Sequence, residues 1–336
     1  MFKSNIDRIM SHLYEPILKG RNVIFFLLLI TSCSPSNNSK SNEDKPIVVT
    51  SFFPLYDFAR QLAGDQINVT CLTPPGADPH SVELTPSMVK TTHEAQLILM
   101  LGFGLDAWID KIPLKAGQKK LRVSDMGIET IANFHPSKKQ GMIEMAVPKN
   151  EENNPTVDAD PHVWLDPIIA QKIVAEISDQ FEELDPSSKQ LFHKRKDELL
   201  NKLKLLHAEF SSKLKDFTNP SVVTFHGAFG YLFKRYEIQL AGVVELFPGD
   251  EPSVSYLKKL VNLMRKLKIN VIFAEPQLPD RPAIVIAKEI NGRVEKLDPC
   301  ETILPESPDT TYLQRQMRNL ATLSKVLSEG AKKSDE

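Results

Sequence analysis

Between Asp185 and Phe217 an apolar side chain recurs at Phe192, Leu199, Leu203, Leu206, Phe210, Leu214 and Phe217. Spacings of three, four and seven residues put all of them on one face of an α-helix. No glycine or proline interrupts the run between Pro186 and Pro220. Asp185 can cap the helix, and Pro186 falls where a first-turn proline is tolerated. At 1.5 Å per residue the helix would extend roughly 45–50 Å, longer than a small domain is wide. A coiled coil or a long surface helix would satisfy the same pattern. The flanks favour a rigid spacer laid along two lobes, because each holds about four strand-then-helix units and two candidate metal ligands.

The N-terminal flank reads as strands at 46–51, 67–72, 97–101 and 121–124, with helices at 55–63, 86–95, 105–112 and 168–181. The C-terminal flank reads as strands at 221–225, 238–245, 270–274 and 293–297, with helices at 228–236, 253–267, 281–290 and 310–327. Such alternation argues for an α/β protein with parallel sheets covered by helices on both faces. The expected division is an N-terminal lobe at 46–184, a connecting helix at 185–218 and a C-terminal lobe at 219–336. Residues 135–160 are polar, lack a period and read as a long surface loop. A chain of 336 residues suits two cores.

The first residues stand apart. Lys19 and Arg21 precede the apolar run 23–30, which is too short to span a bilayer (~20 residues) but suits a signal-peptide core. Ile30-Thr31-Ser32-Cys33 resembles a bacterial lipobox, which implies a signal peptide at 1–32, cleavage before Cys33 and lipid on that cysteine. Residues 33–45 read as a flexible tether. A formal net charge of −2 and the lack of a long basic run argue against a nucleic-acid partner. Of the other cysteines, Cys71 and Cys300 fall in different lobes. They read as two buried free thiols, with a lobe-locking disulfide as the alternative.

The tetrapeptide Ala-Asp-Pro-His occurs at 77–80 and again at 159–162, each time after a turn-rich segment. Proline before each histidine stiffens the backbone, which suits a side chain that must be held in place. His226 follows a short strand and precedes Gly227; Asp298 follows the last strand and precedes Pro299. Three imidazoles and one carboxylate, His80, His162, His226 and Asp298, thus fall at expected strand ends, where α/β folds bind ligands. His12, His93, His135, His193 and His207 read as surface or satisfied polar residues. Asp78, Asp160 and Glu275 either orient ligand imidazoles from behind or cap turns. Trp164 reads as core or cleft wall and Trp108 as core.

These blocks resemble the metal-binding solute-binding lipoproteins of ABC transporters for zinc and manganese, over residues 46 to about 328. The resemblance rests on Ser51-Phe-Phe-Pro-Leu55, on Pro75-Gly-Ala-Asp-Pro-His-Ser-Val-Glu-Leu-Thr-Pro86 and on Asp160-Pro-His-Val-Trp-Leu-Asp-Pro167. It rests further on Thr224-Phe-His-Gly-Ala-Phe229, Phe273-Ala-Glu-Pro-Gln277 and Leu297-Asp-Pro299. It implies two lobes, each a four-stranded sheet with helices, joined by one long helix. It also implies a metal held between them by His80, His162, His226 and Asp298.

In the resembled family, zinc-binding members carry histidine at the third ligand slot and manganese-binding members a carboxylate, so His226 points to Zn2+, with Mn2+ or Fe2+ as alternatives. A tetrahedral site would place zinc ~2.0–2.1 Å from each imidazole nitrogen. The acid- and histidine-rich loop of many zinc members is reduced here to His135 and scattered acids. The expected role is capture of a divalent metal outside the cytoplasmic membrane and delivery to an ABC permease, by a lipid-anchored monomer in the cell envelope. The rigid helix would limit hinge opening, so metal release would come from local movement of ligand-bearing loops.

An envelope adhesin is a second reading. A zinc hydrolase is disfavoured: it would need Glu83 or Glu275 as base and an open metal position, and the chain has neither His-Glu-x-x-His nor Gly-x-Ser-x-Gly. No enzymatic activity is expected.

Overall fold

The computed structural model describes residues 45–133, 159–245 and 251–334, all within one compact unit. The expected signal peptide, Cys33 and tether lie outside the described residues, as does nearly all of the 135–160 loop.

Two parallel four-stranded sheets organise the chain. The first contains β1 (Ile47–Thr50), β2 (Asn68–Cys71), β3 (Leu97–Met100) and β4 (Lys119–Arg122), in the order β2-β1-β3-β4. The second contains β5 (Ser221–Thr224), β6 (Gln239–Val243), β7 (Val271–Ala274) and β8 (Arg293–Lys296), in the matching order β6-β5-β7-β8. All four residues of β3 and all four of β7 are buried, as expected of interior strands in a parallel sheet covered on both faces. In each sheet the order reverses beside the first strand, and crevices form at such switch points. The C-terminal ends of β5 and β7, neighbours at one of these points, lead directly into His226 and Glu275.

The helices are α1 (Phe53–Ala63), α2 (Pro86–Glu94), α3 (Pro167–Leu184), α4 (Lys189–Leu214), α5 (Gly230–Arg235), α6 (Val254–Lys266), α7 (Arg281–Glu289) and α8 (Tyr312–Ser334). α4 joins the lobes. Its buried residues are Phe192, Leu199, Leu203, Leu206, Phe210 and Leu214, the stripe that its sequence spacing defines. Pro186–Ser188 forms a 3-10 turn, so the α-helix itself begins at Lys189 and is shorter than the 185–218 expected. α4 packs against α3, α1 and α8, and one continuous core carries side chains from both lobes. Arg195 of α4 donates to the carbonyls of Leu62 and Ala63 at 3.2 and 2.7 Å, closing the end of α1. The chain leaves α1 through Gly64 at φ +50, where a Cβ would strike the Arg195 guanidinium.

One expected helix does not form. At 105–112 the chain makes turns and a short 3-10 segment, Ile109–Lys111. The carboxylate of Asp106 accepts the backbone N–H groups of Leu101 and Gly102 at 2.6 and 2.8 Å, which folds the segment back on the end of β3. Phe103, between Gly102 and Gly104, has positive φ. Trp108 in this segment is buried, as is Trp164. Cys71 and Cys300 are free thiols.

Candidate metal centre

The two Ala-Asp-Pro-His copies fold alike. Asp78 Oδ1 accepts the backbone N–H of His80, and Asp160 Oδ1 accepts that of His162, each at 2.9 Å. The proline fixes φ between acceptor and donor, so each copy is a rigid turn that projects its histidine. The settings differ. His80 lies in the 3-10 turn Pro79–Ser81, on the connection from β2 to α2. His162 does not follow a strand. It stands after an isolated antiparallel bridge, Ala132 with Ala159, and just before α3. His226 follows β5, with its carbonyl accepting the Thr224 hydroxyl at 2.6 Å.

The three histidines meet, and the fourth member of the group is Glu301. Among the described residues, ligand atoms of His80, His162, His226 and Glu301 all lie within 4.8 Å of one another. Glu301 Oε1 lies 3.5 Å from His80 Nε2, 3.0 Å from His162 Nε2 and 3.7 Å from His226 Nε2. The Nε2 atoms of His162 and His226 are 3.3 Å apart. A tetrahedral zinc with ligands at ~2.0–2.1 Å requires edges of about 3.3–3.4 Å, so these separations suit one small cation. Buried Glu301 Oε1 and His80 Nε2 find no hydrogen-bond partner outside this group among the described residues. Orphaned buried polar atoms converging on one point are what a site built for an ion leaves behind.

Asp298, the expected fourth ligand, is not in this group. Its Oδ1 accepts the N–H of Cys300 at 2.7 Å, and its Oδ2 stands 3.6 Å from the buried Arg315 guanidinium. Asn319 of α8 holds the same residue by both backbone groups, through Asp298 N–H at 2.8 Å and Asp298 C=O at 2.7 Å. Asp298 therefore anchors the loop that presents Glu301. A sequence signal was available: Asp298-Pro299-Cys300 repeats the Asp-Pro-X turn of the two histidine motifs, which places Asp298 with Asp78 and Asp160 rather than with the ligands.

Asp160 and Glu275 act from behind. Asp160 Oδ1 pairs with His162 Nδ1 at 2.6 Å, and Glu275 Oε1 pairs with His226 Nδ1. Each carboxylate accepts a hydrogen bond from Nδ1–H and leaves Nε2 facing the centre. Burial alone would lower the His162 pKa, but Asp160 and Glu301 outweigh it and push it up to about 10. Burial likewise opposes the shift at His226, where Glu275 and then Glu301 raise the value. Burial would raise Glu301, yet the histidines hold it well below the ordinary carboxylate range. Without an ion, His162 and Glu301 are thus a charged pair at neutral pH.

Both lobes frame it. Trp164 Nε1 donates to the Pro299 carbonyl at 2.7 Å, and the Tyr312 hydroxyl donates to the Trp164 carbonyl. Two other histidines are satisfied elsewhere: His193 pairs with Glu182 at 2.9 Å and His207 with the Tyr236 hydroxyl at 3.0 Å.

A pair of α/β lobes joined by a single long helix, with three imidazoles and a carboxylate converging between them, defines a solute-binding protein of the metal-binding class. The comparisons with known proteins agree. The model of the family described as zinc-uptake complex component A, periplasmic (ZnuA), matches residues 48–326, and the chain belongs to that family.

Among its relatives, the high-affinity zinc uptake system protein ZnuA of Bacillus subtilis is 30% identical over 310 residues, covering 89% of this chain and 94% of the relative. The zinc-binding lipoprotein AdcA of Streptococcus pneumoniae is 28% identical over 301 residues, covering 89% of this chain but 58% of AdcA. The chain therefore spans little more than half of AdcA. Among solved structures, the laminin-binding protein Lmb of Streptococcus agalactiae, described as bifunctional with adhesin and metal transporting activity, superposes with a TM-score of 0.71. That match has 27% identity and covers 84% of this chain and 99% of Lmb. The family is one of transport binding proteins, not an enzyme class.

Proposed function

We propose that this chain captures a divalent metal at His80, His162, His226 and Glu301, with zinc preferred over manganese or ferrous iron, and delivers it to a membrane ABC permease. The observation that carries the reading is the set of ligand-atom separations of 3.0, 3.3, 3.5 and 3.7 Å around one buried point. Three imidazoles and one carboxylate suit zinc, whereas manganese favours sites richer in oxygen. Four protein ligands close the shell, as in a zinc site without catalysis. The zinc-uptake role of the Bacillus relative supports the same substrate and implies a permease partner.

The same reading places the protein in the cell envelope as a monomer. Residues 1–32 would be removed, Cys33 lipidated, and 33–45 would tether the lobes at 46–184 and 219–336 to the membrane. The lipobox and the lipoprotein relative support the anchor.

Calorimetric titration of zinc, then manganese, into the chelator-stripped protein tests the proposal. One tight zinc site per chain, much weaker for manganese and crippled by His226→Ala, is expected. Tighter binding of manganese would reverse the metal assignment. The absence of any tight site would overturn the transport reading.

A further inference from the structure

Behind the ligand cluster, the side-chain amide of Gln277 joins two carboxylates. Its Nε2 donates to Glu275 Oε2 at 2.9 Å and to Glu301 Oε2 at 3.2 Å. Carboxylate oxygens only accept, so the group facing them is the NH2 end of the amide, and the chemistry fixes the side-chain orientation. Gln277 follows Pro276 in the turn after β7, so its backbone is held close to Glu275.

This contact divides the two oxygens of Glu301. Oε1 faces the three Nε2 atoms and finds no partner outside them among the described residues. Oε2 is turned away and held by Gln277. We propose that Gln277 is a selectivity-determining residue: it restrains Glu301 to a single metal-binding oxygen and so keeps the site four-coordinate.

The consequence follows from coordination preference. A carboxylate free to rotate would offer both oxygens and admit a fifth ligand atom. Zinc gains little from this, since four-coordinate tetrahedral sites with nitrogen ligands already suit it. Manganese gains more, because it favours oxygen donors and higher coordination. Gln277 thus favours zinc in two ways, by fixing the oxygen that zinc uses and by withholding the second oxygen from which manganese would gain. Its second bond, to Glu275, ties this restraint to the carboxylate that orients His226.

The inference rests on the metal-uptake reading above, and its test separates the two. Zinc and manganese are titrated into chelator-stripped wild type, Gln277→Met and Gln277→Asn, and cobalt(II) is added to each for visible absorption. Methionine fills the space without a donor; asparagine keeps an amide too short to reach both carboxylates.

The expected result for either folded variant is a zinc affinity lowered about tenfold, the lower end of what outer partners of metal ligands contribute. Manganese affinity should not fall with it, and the intense bands of four-coordinate cobalt should weaken toward those of higher coordination. Zinc and manganese affinities falling in parallel, with unchanged cobalt bands, would overturn the selectivity role and leave Gln277 a structural residue. If wild type itself bound no zinc, the uptake reading would fall, and this inference with it.

Discussion

Asp298 accepts the backbone N–H of Cys300 at 2.7 Å, the same bond by which Asp78 holds His80 and Asp160 holds His162. Three Asp-Pro-X turns therefore stand around the metal centre. In two of them the residue after proline is a histidine of the cluster. In the third that slot holds Cys300, at φ +59, and the cluster member is the next residue, Glu301. The left-handed backbone at Cys300 re-aims the chain so that Glu301 faces the histidines.

The two acids are expected to separate on mutation. Glu301→Ala removes a ligand atom and should lower zinc affinity by at least about 100-fold, the upper end for supporting residues and the lower bound for a ligand. Asp298→Ala removes the turn and the partner of Arg315, and should cost about tenfold through a loosened loop. Calorimetry with a competing chelator measures both. A larger loss from Asp298→Ala than from Glu301→Ala would restore Asp298 as the ligand.

Protonation gives a second expectation. His162 and His226 both have raised pKa values in the metal-free site, His162 to about 10, while Glu301 is depressed. A raised histidine contributes stability fully below its ordinary value of 6.5 and loses it as pH climbs through the folded value. A depressed carboxylate contributes above its ordinary 4.5 and loses that contribution as pH falls through its folded value. The metal-free cluster should therefore be most stabilising between those two ordinary values. Zinc needs the Nε2 lone pairs, so binding near pH 7 should expel at least the proton of His162, and apparent affinity should weaken as pH falls. Titrations in buffers of different ionisation enthalpy count these protons. Heats independent of the buffer would contradict a protonated His162.

The sequence made the strands and most helices legible because their apolar periods are uninterrupted, and it made the three histidines legible because two sit in a repeated motif and one ends a strand. Glu301 was harder to see: the Asp298-Pro299-Cys300 turn marks its surroundings, but it stands one residue beyond the slot that the histidines occupy, and only the backbone at Cys300 turns it inward. The helix expected at 105–112 failed for a similar reason, since a single side chain, Asp106, captured two backbone donors and overrode local propensity. Contacts such as Trp164 with Pro299 across the lobes, and Gln277 with Glu301 within one, link residues far apart in the chain and carry no local pattern.

Gly230 shows how close one such contact is. A Cβ at this position would collide with Asp160 Oδ2 and come within 2.9 Å of Ile131 Cδ1. Asp160 orients His162, so Gly230→Ala should push the carboxylate off the imidazole. The expected outcome is a loss of about 1–3 kcal/mol in stability, typical of overpacking, together with weaker zinc binding. Thermal unfolding with and without zinc tests the pair of effects. An unchanged melting temperature in both states would mean that the loop gives way freely.

The same helix limits how the protein can release its metal. α5 starts just beyond His226, yet it is fastened to the other lobe. Arg235 donates to Asp166 through Nε and NH2 at 2.9 and 2.6 Å, and the Tyr231 hydroxyl accepts the N–H of Ile131 at 3.1 Å. α4 packs along α1, α3 and α8, which ties the lobes again. Opening by a large rotation would break these bonds and expose shared core, whereas His80, with 21% of its side chain exposed against 4% or less for the other three ligands, can leave with its loop alone. Small-angle scattering of zinc-loaded and stripped protein should therefore give nearly the same radius of gyration, while amide exchange within residues 72–86 should slow when zinc is bound. A large change in overall dimensions, with no change in exchange around His80, would show that the lobes move as bodies and that the bonds from α5 are not the restraint.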